Sequence, residues 1–290
     1  MIPAPFDYHR PGTLDEAVAL LARHGDAAKV LSGGMSLLPV LKLRLGTVEH
    51  LVDIGRIPGL EYIKEEGGVL KIGGATKQAA LERSELIAAK LPIVHDAVVL
   101  IADPLVRNRA TAGGNLANGD PGNDLPAVMI ALGATIVVRG PKGERGIPAN
   151  QFYKGIYSTA LAADEILTEV RIPIPPPRSG GAYVKLKRKV GDFAVAAAAV
   201  QVALDAKGAI EHAGIALTNA GATPVEVTDA AKYLAGKSLD DKVVVEASRL
   251  AAAKSAPSAD QRGSVEYKQQ MARVLTGRAL RKAVERAGGR

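Results

Sequence analysis

The chain contains 290 residues, 47% of them hydrophobic, which is enough for two globular domains. It has no cysteine, which excludes disulfides, thiolate zinc sites and iron–sulphur clusters bound by this chain, and it has no apolar run of about 18 residues or more, so no transmembrane helix is expected. The net charge of +7 is compatible with nucleic-acid binding, but three Phe, no Trp and no recognised nucleic-acid motif argue against it.

The first part of the sequence predicts a small β-α-β unit that ends near residue 55. A capping box begins at Thr13, and Gly25 is placed to end the helix that follows. Residues 29–31 and 50–54 are short apolar runs typical of buried strands. Between them lies SGGMS at positions 32–36, called here the first glycine segment. It precedes an apolar helical turn whose N–H groups would face an anion.

Residues 56–177 predict a second α+β subdomain. It begins with a hairpin around Gly67 and Gly68, continues through short helices, and ends with strands that include residues 166–174. Three prolines in a row from Pro175 then predict a linker. The expected domains are therefore residues 1–177 and 178–290.

The last domain is expected to hold a three-stranded antiparallel sheet with helices on one face. The strands are predicted near residues 183–189, 194–204 and 210–217, and three helices follow them. Lysines and arginines concentrate in the first of these strands and in the last helix. A charged helix face is usually solvated, and the alternative is docking against an acidic partner subunit.

Residues 111–124, TAGGNLANGDPGND, hold four glycines and three asparagines between apolar segments. Positions 111–115 are called here the second glycine segment. We expect Gly113 and Gly114 to adopt positive φ and bring N–H groups to a phosphate, and Asn115 and Asp124 to hold hydroxyls. An ordinary long turn is the alternative, since the same residue types dominate turns. Neither glycine segment matches the GxGxxG or GxxxxGK[ST] motif.

No group of side chains in the sequence predicts catalysis or metal binding by this chain. The five histidines, at positions 9, 24, 50, 95 and 212, show no HxxxH or HExxH spacing, so no metal site is expected. The part of the chain after residue 177 contains a single histidine, His212.

The two glycine segments resemble the paired loops that hold the FAD pyrophosphate in the flavoproteins of the molybdenum hydroxylases, the xanthine dehydrogenase family. The similarity continues in MIPAPFDYHRP, ADPLVRN, NGDPGNDLPA and KLKRKVGDFA and covers essentially the whole chain. Within the family it points to the medium, FAD-binding subunits of aerobic carbon monoxide dehydrogenases. It implies an α+β fold: a FAD-binding domain of the vanillyl-alcohol-oxidase and p-cresol-methylhydroxylase type, with subdomains of about residues 1–55 and 56–177, followed by the C-terminal domain.

The resemblance also implies FAD as the cofactor and assigns residues to its parts. Both glycine segments wrap the pyrophosphate, Lys29 and Val30 approach the adenosine, and Asp124 holds the ribityl chain. Asp103 and Leu167 form walls near the isoalloxazine or the adenine. The expected FAD-binding residues are Lys29, Val30, Leu31, Ser32, Gly33, Gly34, Met35, Ser36, Ala102, Asp103, Thr111, Gly113, Gly114, Asn115, Asp124, Leu167, Lys187 and Phe193.

Some of these residues also fit simpler interpretations. Lys29 fits a surface lysine, Asp103 fits the start of a turn, and Leu167 fits a strand in the core. Similar flavoproteins carry GDY where this chain has GDF, and their tyrosine covers one face of the isoalloxazine. Phe193 can stack in the same way without the hydroxyl, and its alternative is ordinary hydrophobic core.

Two functions from different classes fit these observations. The resemblance implies an electron-transfer subunit without catalytic residues: a molybdenum-cofactor large subunit oxidises the substrate, a 2Fe-2S small subunit passes the electrons on, and FAD delivers them to an external acceptor such as a quinone. It also implies a dimer of heterotrimers in the cytoplasm, with peripheral contact to the inner face of the membrane as an option. The alternative is a self-contained flavin oxidase or dehydrogenase. The small C-terminal domain and the lack of an obvious base argue against it.

Overall fold

The first subdomain is a three-stranded parallel sheet with a helix packed on one face. The computed structural model describes residues 2–288. In the sheet, β3 lies between β1 and β2, and Val18 and Leu21 of α1 pack on Val52 in a small core. The elements of this subdomain are β1 Asp7–His9, α1 Leu14–His24, β2 Ala28–Leu31, α2 Leu37–Lys42 and β3 His50–Asp53.

Local sequence explains both ends of α1. The Thr13 hydroxyl accepts a hydrogen bond from the Glu16 N–H at 3.2 Å, and the Glu16 carboxylate accepts one from the Gly12 N–H at 2.8 Å. At the other end Gly25 has a φ of 54°, which glycine adopts without steric cost. The predicted helix is therefore confirmed. Strand β1 was not predicted, because three residues form a strand only through distant pairing partners.

The second subdomain places a five-stranded antiparallel sheet, of order β4-β5-β10-β6-β7, beside short helices. Helix α8 is buried along its whole length. The elements are β4 Ile63–Glu66, β5 Val69–Gly73, α3 Gln78–Arg83, α4 Glu85–Lys90, α5 Pro92–Val98, α6 Pro104–Arg107, α7 Ala112–Ala117, α8 Asp124–Ala131, β6 Thr135–Gly140, β7 Gly143–Pro148, α9 Ala149–Phe152, β8 Tyr153–Gly155, β9 Ser158–Thr159 and β10 Ile166–Pro173.

The C-terminal part contains an antiparallel sheet followed by three helices, as expected. Its strand order is β11-β12-β13-β14, and the fourth strand, of two residues, was not predicted. The elements are β11 Ser179–Leu186, β12 Ala196–Leu204, β13 Ile210–Thr218, β14 Val225–Glu226, α10 Thr228–Leu234, α11 Asp241–Lys254 and α12 Val265–Arg286.

This C-terminal sheet is covered on both faces, because helices of the second subdomain pack on the face that the C-terminal helices leave free. Ala196 and Ala198 of β12 belong to the core with α11 and α12, whereas Ala197 and Ala199 belong to the core with α5 and α8. Small residues permit this close approach: a Cβ at Gly214 would overlap the Ala131 carbonyl oxygen. The alanine-rich run is therefore a packing feature of a shared sheet.

The shared sheet joins the two expected domains, because the core that includes α5 and α8 also contains residues of β11, β12 and β13. The division into two domains, residues 1–177 and 178–290, stays a prediction from the sequence. Among residues 2–288, no helix combines the length and the apolar character needed to cross a membrane.

Candidate functional site

The two glycine segments lie against each other although 79 positions separate Ser32 from Thr111. Their hydroxyl oxygens are 3.0 Å apart. Gly33 is buried, and a Cβ at this position would overlap the Arg109 carbonyl oxygen and lie 2.8 Å from Ala110 Cα. Glycine is therefore required here by close contact with the backbone just before the second glycine segment.

The first glycine segment presents a row of free backbone donors. It follows β2, which carries the expected residues Lys29, Val30 and Leu31, and the φ of 79° at Gly34 turns the chain into α2. In the part of the chain that the structure describes, the N–H groups of residues 33–36 make no hydrogen bond to the protein. Adjacent unpaired N–H groups in such a turn form a nest that binds an anion.

The second glycine segment is the first turn of a helix, α7. The Thr111 hydroxyl caps it by accepting a hydrogen bond from the Gly114 N–H at 3.1 Å, and the Gly113 N–H donates to the Gly74 carbonyl at 2.9 Å. Neither Gly113 nor Gly114 has positive φ, so the expectation of that conformation, and of free N–H groups there, is wrong. Gly113 is needed because a Cβ would lie 2.6 Å from the Gly74 oxygen.

Asn115, on the same helical turn, carries a buried polar atom without a partner. Its Oδ1 makes no hydrogen bond within residues 2–288, although its backbone carbonyl accepts one from Asn123 Nδ2 at 2.8 Å. A buried acceptor left unpaired costs stability. A hydroxyl of a bound ligand would supply the missing donor.

Asp124 begins α8 and is buried together with two side chains of β11. Lys185 Nζ donates to Asp124 Oδ2 at 2.8 Å and to the Leu100 carbonyl at 3.2 Å, and Tyr183 Oη donates to Asp124 Oδ1 at 2.6 Å. Burial raises the pKa of Asp124, and the charges of Lys185 and, more weakly, Lys187 oppose that rise. Both carboxylate oxygens are engaged within the chain, and the ribityl role expected for Asp124 stays a prediction.

Phe193 lies at the protein surface beside the segment that follows α7. The residue is 45% exposed, its Cδ1 would lie 3.2 Å from a Cβ at Gly122, and the Arg262 guanidinium is 5.8 Å from its ring centroid. Phe193 is therefore not a core residue. Burial of the neighbouring Asp192 opposes its ionisation, but hydrogen bonds from Arg262 and Arg188 lower its pKa to about 2.

Three other expected residues match the simpler interpretation. Lys29 is exposed on β2. Asp103 is the N-cap of α6, accepting a hydrogen bond from the Val106 N–H at 2.9 Å, and the preceding Ala102 has a φ of 44°. Leu167 is buried in β10. The geometry leaves their contact with a flavin as a prediction.

Sequence reasoning missed Gly74, which lies between β10 and α7. Its N–H donates to the Thr168 carbonyl at 2.7 Å, and a Cβ would overlap the Leu167 carbonyl oxygen. The available signal was another Gly-Gly pair, at positions 73 and 74, where β5 ends. The Lys185 and Tyr183 partners of Asp124 left no local signal, since they come from a distant strand.

Comparisons with known proteins point to the same family as the two glycine segments. Residues 4–175 match the FAD binding domain in molybdopterin dehydrogenase, and residues 181–283 match the CO dehydrogenase flavoprotein C-terminal domain. The chain is 50% identical over 290 residues to the carbon monoxide dehydrogenase medium chain of Afipia carboxidovorans, covering 100% of this chain and 99% of the relative. It is 36% identical over 287 residues to the 6-hydroxypseudooxynicotine dehydrogenase complex subunit alpha of Paenarthrobacter nicotinovorans, covering 99% and 97%.

Comparison with a solved structure leads to the same family. The chain is similar, with 49% identity and a TM-score of 0.96, to a chain of the reconstituted CO dehydrogenase from Oligotropha carboxidovorans, and the match covers 99% of this chain and 100% of that one. The resemblance inferred from the two glycine segments, the α+β fold and FAD as the cofactor are confirmed. The chain therefore belongs to the FAD-binding flavoprotein family of the molybdopterin dehydrogenases, and it is an oxidoreductase subunit.

Proposed function

We propose that the two glycine segments together hold one FAD and that the chain is the electron-transfer flavoprotein of a molybdenum hydroxylase. The observation that carries the proposal is the junction at Ser32 and Thr111, where the free N–H groups of residues 33–36 meet the helix that bears the unpaired Asn115 Oδ1. Donors for an anion and an acceptor for a hydroxyl are the two needs of a dinucleotide's pyrophosphate and sugar groups.

The two segments have different tasks in this proposal. The pyrophosphate is assigned to the first glycine segment, because the N–H groups of Gly113 and Gly114 already bind within the chain. The second segment contributes the Thr111 hydroxyl and the Asn115 amide. When bound, the flavin supplies reversible uptake of two electrons, while the protein supplies position and electrostatic surroundings.

We assign the remaining expected residues to other parts of the same FAD. Lys29, with the rest of β2, is assigned to the adenosine end, and Ala102, Asp103 and Leu167 to the walls. The exposed ring of Phe193 is free to cover one face of the isoalloxazine. The positive charge of Lys187 would favour an anionic reduced flavin.

Replacing Asn115 with alanine is expected to weaken FAD binding by about tenfold, the equivalent of one hydrogen bond of about 1.4 kcal/mol. The same change removes a buried acceptor that has no partner in the protein and places a good helix former in α7. The FAD-free protein should therefore be no less stable than the parent. Flavin fluorescence titration and thermal melting of the FAD-free protein measure the two effects.

Asn150→Ala is the matched control, since Asn150 is an exposed helical asparagine in α9. It should leave FAD affinity unchanged. If Asn115→Ala and Asn150→Ala bind FAD equally well, then Asn115 does not contact the cofactor and the proposed arrangement is wrong.

The proposal extends to partners. The chain has no cysteine to bind an iron–sulphur cluster, and we assign the 2Fe-2S clusters to a small subunit and the molybdenum cofactor to a large subunit. Carbon monoxide is the favoured substrate, because the relative at 50% identity is a carbon monoxide dehydrogenase chain. The large subunit would select the substrate, since a chain at 36% identity serves a different dehydrogenase complex. The same proposal includes a dimer of heterotrimers and a quinone as the electron acceptor. It also includes a cytoplasmic location, with peripheral contact to the membrane.

The electron-transfer role predicts that the isolated FAD-loaded chain is not reduced by carbon monoxide, aldehydes or heteroaromatic compounds. Anaerobic mixing of each compound with the lone chain, followed by flavin absorbance, should show no bleaching. Assembly with an iron–sulphur and a molybdenum subunit should restore bleaching by the substrate. Bleaching of the lone chain would instead establish a self-contained oxidase or dehydrogenase.

A further inference from the structure

Three of the five histidines meet at one edge of the first subdomain. His9 ends β1, His24 ends α1 and His50 begins β3, and all three are half-buried. One ring nitrogen from each lies within 4.8 Å of the other two. These residues are called here the histidine cluster. Within residues 2–288 no other three His, Cys, Asp or Glu side chains come together in this way.

The cluster is produced by the pairing of strands that are distant in sequence. Asp7 of β1 pairs with His50 of β3 in a parallel register, and alternation along the strand places His9 on the same face as Asp7. Helix α1 packs on this face over Val52, which brings its C-terminal His24 to the other two rings. A local spacing such as HxxxH cannot reveal this cluster, because its three histidines come from three different elements.

The spacing of His9 and His50 suits a single metal ion, and the His24 ring, whose centroid is 3.7 Å from that of His50, would move away from His50 to join them. His9 Nε2 and His50 Nδ1 are 3.1 Å apart, and two nitrogens bound to one tetrahedral zinc at about 2.0–2.1 Å would be about 3.3 Å apart. Asp7 Oδ2 lies 3.6 Å from the same His50 nitrogen on an exposed side chain that is free to rotate. An open cleft of about 480 Å³, lined in part by Tyr8 and Arg23, borders the cluster at His9 and provides an entry path.

We propose that His9, His24, His50 and Asp7 bind one Zn²⁺ ion. Imidazole nitrogens and a carboxylate oxygen are ligands that zinc accepts, and four protein ligands make a closed site of the structural kind. The ion would tie the short strand β1 and the end of α1 to β3. The first glycine segment follows the C-terminal end of β2, whereas His50 and its register partner Asp7 lie at the N-terminal ends of β3 and β1, so zinc and FAD would occupy separate sites.

The test uses the full-length FAD-loaded protein, treated with a chelator and then titrated with Zn²⁺ by calorimetry and with Co²⁺ by visible absorption. We expect one equivalent of metal, the absorption of tetrahedral Co²⁺, and a higher melting temperature with Zn²⁺. His24→Gln and His50→Gln should each weaken Zn²⁺ binding by at least about tenfold and abolish the thermal shift. His212→Gln, at an exposed position of β13, is the matched control and should bind zinc like the parent.

Unchanged Zn²⁺ affinity in both cluster variants would overturn the proposal, because the metal would then bind elsewhere. Failure of the parent protein to bind Zn²⁺ would overturn it as well, leaving the 3.1 Å contact between His9 and His50 as a hydrogen bond between imidazoles. FAD content is expected to be equal in all variants, which shows that a loss of zinc is not a loss of the fold around β2 and β3.

Discussion

Replacing Lys185 with methionine is expected to lower the free energy of unfolding by about 3–5 kcal/mol at neutral pH. The Lys185 and Asp124 side chains are 1% and 5% exposed and lie 2.8 Å apart. Without the lysine, Asp124 either remains a buried charge without its cationic partner or takes up a proton. The carbonyl of Leu100 also loses a donor.

This loss should depend on pH in a defined direction. Burial raises the pKa of Asp124, and the variant lacks Lys185, the first group that opposes this rise. A carboxyl whose pKa is raised by folding penalises the folded state only when it must ionise. The penalty should therefore be small below the ordinary aspartate pKa of about 3.9 and grow as pH rises toward neutrality. Urea unfolding followed by circular dichroism at acidic and neutral pH measures it.

Two further variants test whether the loss of stability comes from the buried ion pair. Lys189→Met removes an exposed lysine just after the same strand and should change the free energy of unfolding by no more than about 0.5 kcal/mol. Asp124→Leu combined with Lys185→Met removes both charges and should recover a large part of the loss. If Lys185→Met is no less stable than Lys189→Met at neutral pH, the buried ion pair is not what stabilises this junction.

The second large effect is expected from Gly33→Ala. Overpacking of the loop should raise the free energy of the FAD-binding conformation by about 1–3 kcal/mol. If this whole change falls on binding, FAD affinity decreases by about 5- to 150-fold. The added Cβ would overlap the Arg109 carbonyl oxygen, so the first glycine segment must move away from the backbone that leads into the second. The 3.0 Å contact between Ser32 and Thr111 would be lost with this movement. The FAD content of the purified protein and a fluorescence titration report the change.

Gly12→Ala is the control for this experiment. A Cβ at Gly12 meets only the Glu16 carboxylate, at 3.7 Å, and its φ is not positive. The control should keep the parent's FAD content. Equal FAD affinity for Gly33→Ala and Gly12→Ala would show that close contact between the segments is not needed to hold the cofactor.

The sequence could predict the elements whose causes are local. The helix after Thr13 has its cap and its stop within a few residues, and both appear in the structure. The second glycine segment shows the limit of local reasoning. Its glycines suggested turns with positive φ, which the structure does not show. Glycine is needed at position 113 because a Cβ would be too close to the backbone of Gly74, the residue after β5. A tertiary contact of this kind leaves no mark on neighbouring residues.

Asp124 and the histidine cluster show the same limit at the site. The sequence pointed to Asp124 as a polar residue beside a glycine-rich segment, but its ion pair with Lys185 joins positions 61 residues apart. The histidines are brought together by β1, a strand of three residues that exists only through its pairing with β3. Residue types could be recognised in both cases, whereas their partners depend on topology.

The sheet that two domains share has a mechanical consequence. Strand β12 contributes alternate residues to two cores, and each core reaches it through close-packed alanines. A hinge motion between the two domains would have to separate helices α5 and α8 from that sheet and expose its apolar face to water. The chain should therefore behave as a rigid frame during turnover, with only surface groups such as Phe193 able to adjust. Such a frame would keep the distance between a bound flavin and a docked electron donor constant from one cycle to the next.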